Sequence, residues 1–86
     1  MSVAPAVLRE LHALARDEEL PATARAAIRD GLVSLHGSRD GLGSWALLRA
    51  ARDLARGLGS IEDVQRIARY LARGQPAAHV TKGAGP

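Results

Sequence analysis

Cysteine and phenylalanine are absent from this chain, and tryptophan, tyrosine and methionine occur once each. Without cysteine there is neither a disulfide framework nor a thiolate metal site, which fits a reducing compartment. Without phenylalanine the core has to be assembled from Leu, Ile, Val and Ala. Alanine lets helices approach closely, but each one contributes less transfer energy than a larger side chain. No apolar run reaches the ~18 residues of a membrane span, and the N-terminus lacks the charged-then-apolar pattern of a secretory signal. A soluble, cytoplasmic protein with no membrane partner is the expectation. At 86 residues there is room for one domain, and a domain of that size buries only about 60% of its unfolded surface.

A recognisable active site is missing too. His12, His36 and His79 lie far apart, and no pair shows a metal-ligand spacing such as His-Glu-x-x-His. Each reads as a surface or capping residue, and no metal or cofactor is expected. Ser34, Ser38, Ser44 and Ser60 fall where turns or helix caps account for them, without a Gly-x-Ser-x-Gly elbow. The glycine-rich stretch 37–44, GSRDGLGS, has no strand before it and no Gly-Lys-Ser/Thr. It reads as a connecting turn with Ser44 as the cap of the next helix, rather than as a phosphate loop. The expected protein is not an enzyme, and no small-molecule substrate is evident.

What the chain does have is a near-duplication. LLRAARDLARG at 47–57 returns as VQRIARYLARG at 64–74, with seven of eleven positions identical at a 17-residue offset. Arg49, Arg52 and Arg56 become Arg66, Arg69 and Arg73, while Ala51, Leu54 and Ala55 become Ala68, Leu71 and Ala72. Arginines at i, i+3 and i+7 fall within an arc of roughly 60° on an α-helix, opposite the aliphatic residues. Both copies should therefore be amphipathic helices that turn arginine outward, to solvent or a partner. Gly57 and Gly59 offer left-handed positions to end the first, and Ser60 followed by Glu62 and Asp63 supplies an N-cap with acids in the first turn of the second.

Two further helices precede the repeat. Val7, Leu8, Leu11, Leu14 and Ala15 recur at helical spacing after Ser2 as cap and Pro5 in the first turn. Asp17, Glu18 and Glu19 suit the start of a second helix better than the end of the first, with Pro21 at its first position. Ala24, Ala27, Ile28, Leu32 and Leu35 form the second stripe, and Gly31 within it either permits close packing or shortens the helix. The predicted architecture is all-α, a small bundle of four short helices at about 3–17, 21–36, 45–57 and 61–73. It makes a single domain over residues 1–74 with a flexible tail over 75–86.

Residues 1–40 carry five arginines against six acids and residues 41–86 carry six arginines and one lysine against three acids, so the net charge of +3 divides as −1 and +4. The cationic half is the repeat. Arginine suits bidentate contact to carboxylate or phosphate, but an arginine- and alanine-rich composition is also what a GC-rich coding sequence tends to produce. Trp45, near the start of the third helix, reads first as a core plug and otherwise as an interface anchor or stacking platform, and Tyr70 carries the same ambiguity.

Two binding roles follow. In the first, leftover apolar surface around Trp45 and Tyr70 docks a protein partner or a second copy, with the arginines as rim charges. In the second, the arginines meet nucleic-acid phosphates. A helix-turn-helix would be the natural form of the second, yet with Ala55 and Gly59 in the small-residue and turn positions, the buried position six residues on is Gln65, and Val64 is one short. The expected contact residues in either role are Arg49, Arg52, Arg56, Arg66, Arg69, Arg73, Trp45 and Tyr70. Finally, the order Ala51-Arg52-Asp53-Leu54-Ala55-x-Gly57, then Ser60 and Val64-x-Arg66-Ile67-x-x-Tyr70-x-x-Arg73, resembles a short helical module of uncharacterised bacteriophage and prophage proteins, some linked to phage heads. The resemblance spans roughly residues 21–74. It implies a phage-related, non-enzymatic role and assigns no binding residue.

Overall fold

Each apolar stripe becomes the inner face of a helix. The computed structural model describes residues 3–74 and places in them α1 (Pro5–Ala15), α2 (Ala22–Leu35), α3 (Gly41–Ala55) and α4 (Ile61–Arg73), with no strand among the described residues. The predicted four-helix, all-α bundle is what forms. The expected Ser2 cap and the expected tail over 75–86 lie outside the described residues. No helix is long and apolar enough to cross a membrane among those residues.

Helix α1 starts on Pro5 with Ala4 at the N-cap and ends at Ala15, two residues earlier than predicted. The acids explain the stop. Asp17 accepts a hydrogen bond from the Glu19 backbone N–H at 2.9 Å, and Leu20 N–H closes onto the Asp17 carbonyl at 3.0 Å. These acids make the turn themselves rather than charging the first turn of α2, and Pro21 is the N-cap of α2, not its first residue. Leu20 is buried and pins the connection to the core.

Gly31 continues α2 and permits close packing. A Cβ there would meet Leu47 Cδ2 at 2.5 Å, so α2 and α3 approach at this point because a side chain is missing.

Helix α3 begins at Gly41, four residues before the predicted start. Its cap is Asp40, whose Oδ1 accepts from the Gly43 N–H at 2.8 Å, and Asp40 is itself held by the Ser38 hydroxyl, which accepts its N–H at 3.0 Å. Ser44 is not the cap: it is buried inside the helix and its hydroxyl donates to the Gly41 carbonyl at 2.8 Å. Glycines in a helix interior cost about 1 kcal/mol each relative to alanine. Here the cap and tight packing override that penalty, since a Cβ on Gly43 would collide with Asp40 Oδ2 at 2.4 Å and Leu71 Cδ2 at 2.7 Å. The end of α3 is a Schellman motif. Leu58 N–H reaches the Asp53 carbonyl at 2.8 Å and Gly57 N–H the Leu54 carbonyl at 3.0 Å, with Gly57 at φ +79°. Of the two predicted left-handed glycines only Gly57 is used. Ser60 caps α4 as expected, accepting from the Asp63 N–H at 3.2 Å.

The core joins Leu11 of α1, Ile28 and Leu35 of α2, Leu47, Leu48 and Ala51 of α3, and Val64 and Leu71 of α4. Helix α2 packs most extensively on α4, α1 packs on α2 and α3, and α3 packs on α4. Both copies of the repeat thus share one core, the inner Leu47 and Ala51 of the first matched by buried Val64 and Ala68 of the second.

Candidate functional site: the arginine face of α3 and α4

The six repeat arginines have different fates. Arg52 is tied to α1: its Nε donates to Glu10 Oε2 at 2.7 Å and its Nη2 to Glu10 Oε1 at 2.6 Å, a bidentate pair. The same guanidinium lies 5.4 Å from the centroid of the Trp45 ring. The Arg52 hydrogen bond holds the Glu10 carboxyl below its ordinary value of 4.5 against the opposing effect of burial, with Arg52 and Arg56 charges adding to the lowering. Arg52 is raised in turn by Glu10. Arg66 pairs with Asp63 one turn before it. Arg52 and Arg66, expected to face outward, are therefore engaged within the chain, and Arg73 too has an interaction of its own. The side chains of Arg49, Arg56 and Arg69 make no hydrogen bond or ion pair among the described residues and extend from exposed positions.

The two copies meet in a groove between α3 and α4. Arg49 lines it from α3 and Arg66 from α4, over a floor that includes Ala46, Ala50 and Ile67. Asp53 and Asp63 line the same groove. Its charged side chains therefore balance as two cations and two carboxylates, so it does not concentrate positive potential. Arg69 instead lines a second groove, between α2 and α4, together with Asp30.

Trp45 is not a core plug. It is 47% exposed, with Leu42 one turn before it at 74% and Tyr70 on α4 at 58%. The longer α3 explains the difference. A helix starting at Gly41 turns Gly43, Ser44, Leu47 and Leu48 inward, which leaves Leu42, Trp45, Arg49 and Arg56 at spacings that fall on the outer face. The early start also adds Leu42, absent from the sequence-based contact set. Asp40 followed three residues later by Gly43 was the available signal.

The helix-turn-helix register is not reproduced. Its left-handed glycine would be Gly59, but the positive φ belongs to Gly57, and Val64 rather than Gln65 is the fully buried position. At the glycine-rich turn, the helix start that would receive an anion already holds the carboxylate of Asp40. His36 follows α2 directly at its C-cap position and is exposed. No group of three or more His, Asp or Glu side chains converges among the described residues in a way that could hold a metal. Comparison with protein-family models, with curated proteins and with solved structures finds no match.

Proposed function

We propose that this protein is a non-catalytic binding module whose α3–α4 face docks a protein partner. The observation that carries the reading is Trp45 standing half out of the fold beside exposed Leu42, on the helix face that also bears Arg49 and Arg56. Large apolar groups left in water within an arginine rim are the residue types that dominate binding energy in protein interfaces. The fitting partner offers an apolar recess for Trp45 bordered by carboxylates for Arg49 and Arg56. The resemblance of residues 21–74 to a phage-associated helical module agrees with an assembly role of this kind.

Nucleic-acid binding is the second reading, favoured by the outward arginines of both copies. Against it stand Asp53 and Asp63 in the groove where those copies meet, since carboxylates there would repel a phosphate backbone. Two measurements separate the readings. Affinity capture from the native host, with Trp45→Ala as the comparison, should lose the partner or the self-association while far-UV circular dichroism stays unchanged; an inert substitution would sink the protein-docking reading. Random-sequence duplex DNA should not bind at about 50 mM salt. Binding there that falls by ~0.9 log units per log unit of salt for each neutralised phosphate would replace it with the nucleic-acid reading.

A further inference from the structure

Grooves between neighbouring helices differ in charge. Those between α2 and α4 and between α3 and α4 each set arginine beside aspartate and so neutralise themselves. The groove between α1 and α2 does not. It is lined by His12, Arg29, Leu32, Val33 and His36, with no carboxylate in its lining. At about 460 Å³ it falls within the ~300–1,000 Å³ span of ordinary ligand clefts.

Its parts are placed for one kind of molecule. Leu32 belongs to the core and closes the floor, while Val33 beside it is 71% exposed, an aliphatic wall without a partner in the fold. Arg29 is held at the end of α1, where its Nη1 donates to the Ala15 carbonyl at 3.4 Å, and it has no carboxylate partner among the described residues. The remaining guanidinium N–H groups can form the two-pronged contact that a carboxylate accepts. Arg9 and Arg16 lie three residues before and four after His12, hence on the same side of α1, and neither has an ion pair among the described residues. The floor and wall are aliphatic, which suits a hydrocarbon chain.

We propose that the α1–α2 groove binds an aliphatic carboxylate, its hydrocarbon along Leu32 and Val33 and its carboxylate on Arg29 between His12 and His36. This site is separate from the α3–α4 face and does not rest on it. The sequence could not point to it, because His12 and His36 share no ligand spacing and meet only through the packing of α1 on α2.

The test is titration of the full chain with sodium octanoate at pH 7, followed by amide and side-chain NMR shifts. Saturable one-to-one binding below roughly 10 mM is expected, with shifts centred on His12, Arg29 to Val33, and His36. Octan-1-ol and octyltrimethylammonium should bind at least about tenfold more weakly, because only the carboxylate gains charge-assisted hydrogen bonds. Arg29→Gln and, at an exposed position that leaves the fold intact, Val33→Asp should each weaken octanoate about tenfold. Trp45→Ala should leave it unchanged. The assignment is overturned by absence of saturable binding, by octanol binding as well as octanoate, by shifts centred on Trp45 and Arg49, or by insensitivity to both groove substitutions. It is also overturned if a Glu-Leu repeat peptide binds the same residues more than tenfold tighter, which would give the groove to a protein partner.

Discussion

Arg52 grips Glu10 with two hydrogen bonds while lying over Trp45. Its counterpart Arg69, 17 positions on, sits beside α2 instead. Near-identical local sequence therefore yields different chemistry, because α1 covers one copy and α2 the other. The helical spacing of the repeat was enough to put these side chains on outer faces. It could not supply Glu10, which is 42 positions from Arg52 and comes near only through the packing of α1 on α3. The pair has a definite pH signature. Glu10 has a folded pKa below its ordinary 4.5, so its contribution is present above that value and is lost as pH falls through the lowered one. Glu10→Gln should therefore lower the melting temperature slightly at pH 7, and the difference from the parent chain should close as pH falls below 4.5 and through the lowered value. Both partners are more than a third exposed, so high salt should shrink the difference. A gap independent of pH would show that the ion pair is not its cause.

Among the elements, helix ends separate what local sequence determines from what it does not. Ser60 with Glu62 and Asp63 was legible as the start of α4, because a cap is a short-range device. The start of α3 was hidden, since Gly41 and Gly43 look like turn residues until it is known that α4 comes close enough to need one of them bare. Leu71 Cδ2 would lie 2.7 Å from a Cβ on Gly43, and Asp40 Oδ2 2.4 Å away. Gly43→Ala should therefore destabilise by about 1–3 kcal/mol despite the better helix propensity of alanine, read as a lower urea midpoint at constant slope. Stabilisation would mean that α4 and the Asp40 cap yield more easily than their packing implies.

For the whole molecule, the absence of phenylalanine places much of the stability on a few leucines and one isoleucine. Leu47 is fully buried and fills the space left by Gly31, so Leu47→Ala should cost about 2–5 kcal/mol. Domains are stable by only roughly 0.05–0.15 kcal/mol per residue. The melting temperature of the variant should therefore fall by roughly 10–40 °C, whereas an unchanged melt would place the core elsewhere. Fold class and most of the apolar interior could be read from periodicity, since buried positions recur every three to four residues. Which grooves balance their charge, and which do not, follows from how helices distant in sequence come together.

The alanines along α2 and α4 carry a consequence of their own. Ala26, Ala27, Ala68 and Ala72 line a trough of about 480 Å³, so the seam between the two most extensively paired helices is underfilled at its outer edge. A methyl added at Gly31 would have to displace Leu47, and one at Gly43 would have to displace Leu71 and the Asp40 cap. Bulk added at exposed Ala26 or Ala72 has room, and the chain can thereby acquire a thicker interior by drift at these positions without rearranging its scaffold.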